Sequence, residues 1–130
     1  MAGRIACKTQ RCNLVVIAVS FAGIVTIHLD DYVIEVLMRD LVGHDRRPTS
    51  FLVYIWLAAE QARRQDTVQV SYQELAESIG VSKSSAQAAV NWLVRRRLLV
   101  ASKESATATP RYAVQAPWRD SERRASRQGR

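Results

Sequence analysis

The cysteine and histidine side chains of this chain are the first candidates for metal or nucleophilic chemistry, and their spacing supports neither. Cys7 and Cys12 are five residues apart and have no histidine or further cysteine near them to complete a zinc site. We expect both to be free thiols, consistent with a reducing cytoplasm. His28 lies in an apolar run and His44 in a polar turn, so we expect each to be structural or solvated.

Carboxylates and phosphate-binding loops offer no alternative. Glu74 is explained as a helix cap by its spacing from Ser71, and Glu77 as solvated surface. No glycine-rich phosphate loop and no nucleophile motif occurs in the sequence. We therefore predict that the protein is not an enzyme and has no catalytic residues, metal site or cofactor.

Residues 71–97, SYQELAESIGVSKSSAQAAVNWLVRRR, predict two helices joined by a tight turn. Ser71 and Glu74 stand in the S-x-x-E relation of a capping box, which starts the first helix. Gly80 is placed to end it, because glycine adopts a left-handed conformation without the cost that a Cβ imposes. Ser82 follows as the N-cap candidate of the second helix. The apolar residues of that helix recur at helical spacing: Ala86, Ala89, Val90 and Leu93.

At these residues the chain resembles the winged helix-turn-helix DNA-binding domains of bacterial transcriptional regulators. The family pattern has a small residue where Ala76 stands, because the second helix crosses the first there. It has glycine where Gly80 stands. The remaining pattern positions are apolar, and this chain matches them at Leu75, Val81, Ala86 and Leu93.

The resemblance implies that the second helix lies in the major groove of double-stranded DNA. The amides of Gln87 and Asn91 suit adenine edges, and Lys83 suits guanine or a phosphate. The alternative is that a surface rich in serine, alanine and glutamine is only a solvated helix face. The residues on or beside this helix that the resemblance implies as DNA contacts are Ser82, Lys83, Ser84, Ser85, Gln87, Ala88, Asn91 and Arg95.

The flanks of the two helices match the strands of a winged domain. Residues 67–71 alternate apolar and polar side chains, as a short half-buried strand does. Residues 98–103 and 111–115 predict two more strands, which form the hairpin called the wing. Lys103 and Arg111 lie at the base of its tip, where the resemblance implies phosphate contacts.

The wing is also where the chain departs from the family pattern. Many members have glycine just before the first wing strand and in the wing tip, whereas this chain has Arg97 and residues 105–110 there. The departure concerns the shape of the wing rather than its presence.

Two further helices are predicted upstream. Residues 48–64 are apolar nearly all round, which is typical of a helix central to a core. Residues 30–42 are predicted to form an amphipathic helix with an acidic cap at its start and Gly43 as its stop. Arg46 and Arg47, between these helices, either reach a DNA backbone or are solvated. The predicted fold is therefore mainly α with a small β-hairpin, a winged helix-turn-helix in the order α-α-β-α-α-β-β.

Composition and charge fit one small domain with a basic extension. The 130 residues are 48% hydrophobic and carry a formal net charge of +7, with a sequence pI near 10.1. This balance suits a polyanionic partner, although ribosome-bound, membrane-surface and other soluble proteins share it. The winged domain is assigned to residues 30–116. Residues 117–130 contribute +3 and have almost nothing to bury, so they are predicted to be a disordered basic tail.

The arginines at the end of the second motif helix have two explanations. Arg95, Arg96 and Arg97 add positive charge to the proposed DNA-binding helix. Cations at a helix C-terminus also interact favourably with the helix dipole, whether or not DNA is bound.

Residues 1–29 are uncertain. The apolar run 14–29 follows Arg4, Lys8 and Arg11, the layout of a signal peptide or membrane anchor. A transmembrane helix needs about 20 apolar residues, and this run is only 16 residues long and includes Ser20, Thr26 and His28. Other interpretations are a strand, a packing segment used in dimerisation, or sequence that is not natively translated. Membrane association is not favoured, and we expect a cytoplasmic, nucleoid-associated protein.

The leading functional hypothesis is sequence-specific binding of duplex DNA by a transcriptional regulator that acts by site occupancy. The apolar surface of the helix at 30–42 exceeds what a small winged domain usually needs, which suggests a homodimer. Fold alone does not settle function. The alternatives are a winged-helix protein-interaction module and a protein similar to plasmid replication initiators.

Overall fold

The structure, a computed structural model, describes residues 14–16 and 26–129. The expectations for Cys7 and Cys12, and for most of the apolar run 14–29, lie outside the described residues. Within them the chain forms a small, mainly α-helical domain with a three-stranded antiparallel sheet.

Short strands and helices follow one another along the described part of the chain. The strands are β1 (Leu14–Val16), β2 (His28–Asp30), β3 (Val68–Gln69), β4 (Leu99–Ser102) and β5 (Arg111–Val114). The helices are the N-terminal π-helix, in the two segments Val33–Leu37 and Arg39–His44, then α1 (Pro48–Arg64), α2 (Tyr72–Ile79), α3 (Lys83–Arg95) and α4 (Pro117–Gln128).

The strands form two antiparallel sheets. β1 pairs with β2, and the other three strands lie in the order β3-β5-β4. The β4–β5 hairpin pairs Leu99 with Val114 and Ser102 with Arg111. The order of elements thus differs from the predicted one, since the β1–β2 pair precedes the predicted helices and α4 follows the hairpin.

Local signals place α2 and α3 as the sequence predicted. The Ser71 N–H donates to Oε2 of Glu74 (2.9 Å), and the Glu74 N–H donates to Oγ of Ser71 (3.2 Å), which completes the capping box. The hydrogen bonds that the N–H and Oγ of Ser71 donate to the Glu74 carboxylate lower the pKa of Glu74. Gly80 ends α2 in the left-handed region with φ 84°, and Oγ of Ser82 accepts from the Ser85 N–H to start α3.

The core lies where α1, α2 and α3 meet the three-stranded sheet. Ala76 is 3% exposed, and its small side chain lets α2 and α3 approach closely. Hydrophobic burial of this kind is the main favourable term in folding. The largest fully buried side chains of the core include Leu57, Leu75, Leu93, Leu99 and Tyr112.

The N-terminal π-helix corrects the prediction of an α-helix that Gly43 ends. The Met38 N–H donates to the Val33 carbonyl, and the Asp45 N–H donates to the Asp40 carbonyl at 2.8 Å, so each bond spans five residues. Gly43 lies inside the second segment. The chain instead leaves the helix after His44, and Arg46 takes the left-handed conformation with φ 54°.

Asp30, Trp118 and Arg119 form what we term the Asp30 cluster, and it explains two further differences from the sequence predictions. Asp30 ends β2 rather than capping a helix, and its carboxylate accepts from Nε1 of Trp118 (2.9 Å) and from Nε and an Nη of Arg119 (2.6 and 2.8 Å). The bonds from Arg119 lower the pKa of Asp30, although burial opposes them.

The Asp30 cluster lies at the start of α4, where the sequence predicted a tail without regular structure. Pro117 occupies the first turn of α4, a position that suits proline. Trp118 is only 9% exposed, and its ring stacks on Tyr32 with the centroids 4.6 Å apart. This single aromatic side chain supplies the buried surface that the arginine-rich composition of residues 117–130 did not indicate.

Candidate nucleic-acid interface

The outward face of α3 is the largest group of the predicted contact residues that the structure brings together. The buried side of α3 consists of Ala86, Ala89, Val90 and Leu93, all at most 2% exposed. The two sides alternate as the helical period requires. The predicted residues that lie exposed on this helix or at its N-cap are Ser82, Lys83, Ser84, Ser85, Gln87, Ala88 and Asn91.

Three serines organise the first turn of α3. Oγ of Ser82 donates to Oγ of Ser85 at 2.8 Å and lies 3.2 Å from Oγ of Ser84. The N-terminus of a helix carries a partial positive charge, which favours nearby anions. Residues 83–95 contain no carboxylate, so nothing within α3 opposes that charge.

Arg95 lies apart from these residues. Twelve residues separate it from Lys83 along α3, which is about 18 Å of helix rise. It lines a surface depression together with Tyr32 of the π-helix region and Pro117 of α4. The structure therefore places Arg95 beside the N-terminal and C-terminal helices rather than with the polar face of α3.

The two predicted wing cations lie together at the base of the tip loop that joins β4 to β5. The register pairs Ser102 with Arg111, so Lys103 immediately follows the last paired residue of β4. Both cations are exposed. An Nη of Arg111 lies 3.5 Å from Oε1 of Glu104, and this exposed carboxylate offsets part of the positive charge.

A second cluster, missed from the sequence, fixes α3 against the loop before α1. We term Asp45, Trp92 and Arg96 the Asp45 cluster. Nε1 of Trp92 donates to Oδ2 of Asp45 at 3.0 Å, and Nε of Arg96 lies 3.5 Å from the same oxygen. The Arg47 guanidinium lies 4.4 Å from the centroid of the Trp92 ring, a cation–π contact.

The Asp45 carboxylate is ionised in this setting. Burial raises its pKa, but the hydrogen bonds from His44 and Trp92 and the charge of Arg96 outweigh that effect, so the pKa lies below its ordinary value. Arg96 also contacts Asp40 at 3.3 Å. Of the three arginines that end the motif, Arg96 is therefore used in holding α3 in place. The sequence offered only two signals of the Asp45 cluster, an aspartate before α1 and a tryptophan in α3.

Comparison with protein-family models, with curated proteins and with solved structures gave no match for this chain. Among residues 14–16 and 26–129, no group of three or more histidine, cysteine, aspartate or glutamate side chains is placed to hold a metal ion. No helix in this part of the chain has the length and apolar character needed to cross a membrane.

Proposed function

We propose that the protein is a winged helix-turn-helix transcriptional regulator that binds specific duplex DNA sequences and acts by occupying them. The observation that carries the proposal is the exposed polar face of α3, which begins at a serine-capped N-terminus and contains no carboxylate. Duplex DNA is a dense polyanion, so a reading helix free of acidic side chains is suited to it. The α2-turn-α3 arrangement and the adjoining β4–β5 hairpin support the same assignment.

In this proposal the exposed polar side of α3, from Lys83 to Asn91, lies in the major groove. Lys83, Gln87 and Asn91 follow one another at intervals of four residues, so they form a continuous row along the exposed side. Gln87 and Asn91 pair with adenine edges, and Lys83 contacts guanine or a phosphate. Lys103 and Arg111 contact the backbone beside the groove.

An electrophoretic mobility shift of the full chain with random genomic fragments tests the proposal. Recovered fragments should share a sequence. Gln87→Ala and Asn91→Ala should each weaken binding to that sequence by about 1 to 3 kcal/mol per lost base contact, with thermal stability nearly unchanged.

Gln73→Ala is the matched control for these two variants. Gln73 is an exposed glutamine on α2, and its Nε2 donates to Oε1 of Glu77 at 2.7 Å, so it faces an acidic surface. Its replacement should leave DNA affinity unchanged. If neither α3 variant weakened binding to the selected sequence, the reading face would be wrongly assigned. If the wild-type chain retained no fragment, the proposed function would be wrong.

A homodimer is part of the proposal. Along the N-terminal π-helix, four apolar side chains are between 37% and 40% exposed: Ile34, Val36, Met38 and Val42. This is more exposed apolar surface than a small winged domain usually needs. Two copies related by a two-fold axis would read two half-sites about one DNA turn apart. Light scattering at micromolar concentration should give twice the monomer mass. A monomeric mass with a single, unrepeated footprint would rule the dimer out and favour the protein-interaction alternative for this surface.

A further inference from the structure

A small notch lies where the N-terminus of α1 meets the exposed side of α3. Its volume is about 210 Å³, and it is lined by residues that include Arg46, Arg47, Thr49, Ser50, Ser85 and Ala88. Two of these, Ser85 and Ala88, belong to the polar face of α3. The notch therefore adjoins the surface proposed to enter the DNA groove.

Ser50 carries the strongest sign that a ligand belongs in the notch. The residue is 1% exposed, and its Oγ has no hydrogen-bond partner among the described residues. Leaving a buried hydroxyl unpaired is costly, so such groups call for an explanation. Ser50 is among the residues that line the notch, so a ligand seated there is the candidate partner for its hydroxyl.

The electrostatics of the notch select an anion. α1 is a 17-residue helix, and no side chain caps its first turn among the described residues, so its N-terminal partial positive charge is left for a ligand. Arg46 and Arg47 add two full charges. The residues lining the notch include no carboxylate. The nearby Asp45 is already bound by Trp92, His44 and Arg96.

The geometry of the two arginines differs in a way that suits phosphate. The Arg47 guanidinium is held over the Trp92 ring at 4.4 Å, so its position is set before any ligand arrives. Arg46 is exposed and stands in the left-handed conformation where the chain turns from the π-helix into α1. A helix N-terminus, a hydroxyl and guanidinium groups are the donors that protein sites use for phosphate oxygens.

We infer that the α1 notch binds one backbone phosphate of the DNA strand that borders the groove entered by α3. The inference rests on the proposed function and adds a specific phosphate site to it. Bound there, a phosphate oxygen accepts from Oγ of Ser50, while Arg46 and Arg47 neutralise its charge. The contact positions α3 and carries no base information.

Salt-dependent DNA binding by the full chain tests this site. Arg46→Gln should flatten the slope of log affinity against log salt by about 0.9, the value for one phosphate contact, and should weaken all duplex sequences alike. The matched control is Arg63→Gln, at the other end of α1, where Arg63 is exposed and paired with Glu60. If the wild-type chain bound DNA and Arg46→Gln left the slope unchanged, the phosphate site in the notch would be wrong. The proposed function would be unaffected.

Ser50→Ala separates a ligand contact from a structural role. Loss of a hydrogen bond to a charged oxygen should weaken DNA binding by about tenfold, while the melting temperature stays equal or rises because an unpaired buried hydroxyl is removed. Ser78→Ala, an exposed serine on α2, should change neither property. If Ser50→Ala lowered the melting temperature and left DNA affinity unchanged, the hydroxyl would serve the core and the inference would be wrong.

Inorganic phosphate supplies a readout independent of DNA. Backbone amide resonances of Thr49, Ser50 and Ser85 should shift on addition of phosphate to the full chain, and the shift should be lost in the Arg46→Gln, Arg47→Gln double variant. If phosphate shifted these resonances but a selected duplex did not, the notch would be a free-anion site and the DNA-backbone assignment would fail. If neither ligand shifted them, the whole inference would fail.

Discussion

The Asp30 and Asp45 clusters use the same chemistry in two regions with different roles. In each, an aspartate accepts a hydrogen bond from a tryptophan indole N–H and pairs with an arginine. Asp30 is held by two arginine nitrogens at 2.6 and 2.8 Å, whereas Nε of Arg96 is 3.5 Å from Asp45. The first cluster joins β2 to α4, and the second joins α3 to the loop before α1. The closer pairing thus secures the two ends of the domain, and the looser one lies beside the candidate interface.

Removing α4 should have the largest effect on this comparison. Truncation before Pro117 removes the buried Trp118 ring and leaves Asp30 without either partner, so we expect a loss of about 3 to 5 kcal/mol in the free energy of unfolding. Urea denaturation measures it. The control is the triple variant Arg123→Gln, Arg124→Gln, Arg127→Gln, which keeps the Asp30 cluster and should keep the stability. An equally stable truncation would show that α4 does not contribute to the core.

The triple variant also tests the electrostatic role assigned to residues 117–130. Each of its arginines that contacts a DNA phosphate contributes about 0.9 to the salt slope. Loss of all three contacts should therefore flatten the slope by about 2.7, with sequence preference retained. A slope equal to the wild-type value would make the charged face of α4 an ordinary solvated surface.

Asp30→Asn should have the next largest effect. Arg119 is 53% exposed at its side chain, so solvent screens the pair and we expect a loss of about 2 kcal/mol rather than the full cost of breaking a buried pair. DNA affinity of the folded variant should be unchanged, because the cluster lies at the junction of β2 and α4. If Asp30→Asn reduced the free energy of DNA binding by more than the free energy of unfolding, the Asp30 cluster would have a role at the candidate interface, contrary to this comparison.

The pH dependence of stability provides an independent measurement of the Asp30 cluster. Its hydrogen bonds from Arg119 lower the pKa of Asp30 in the folded protein, so its stabilisation is present above the unfolded value of about 3.9 and is lost as the pH falls below it. The stability difference between wild type and Asp30→Asn should therefore narrow below about pH 4. A difference independent of pH would show that the charge of Asp30 contributes nothing.

Trp92→Phe should have the smallest effect on stability, about 1 kcal/mol, because it removes one hydrogen bond and keeps an aromatic ring under Arg47. Asp45 retains its contacts with His44 and Arg96. The free energy of DNA binding should fall by more than the free energy of unfolding, because α3 loses the bond that fixes its orientation. Thermal denaturation and mobility shift on the same samples decide this, and a proportionate loss of both would place the Asp45 cluster with the core.

The parts of the fold that the sequence predicted are those that neighbouring residues determine. The capping box at Ser71, the left-handed Gly80 and the bounds of α1 each depend on residues within one or two helical turns. The Asp30 cluster joins residues 88 and 89 positions apart, and no local pattern identifies such a pair. Asp30 therefore looked like a helix cap, and Trp118 looked like an isolated residue in a polar tail.

The candidate site divides along the same lines. The outward face of α3 follows from helical spacing alone, so its polar residues were identified together. Ser50 was not identified, because the sequence does not show that its hydroxyl is buried without a partner. The Asp45 cluster depends on a contact between residues 47 positions apart, and the periodicity of the sequence cannot predict such a contact.

The bond between Asp30 and Arg119 also has a topological consequence. It brings the residue that precedes the π-helix next to a residue that follows the β4–β5 hairpin, so residues 30–119 begin and end at one place. A unit with adjacent ends tolerates circular permutation and insertion into a loop of a host protein. New termini in such a rearrangement are best placed in the exposed segment 104–107 between β4 and β5, because a cut there interrupts no helix or strand.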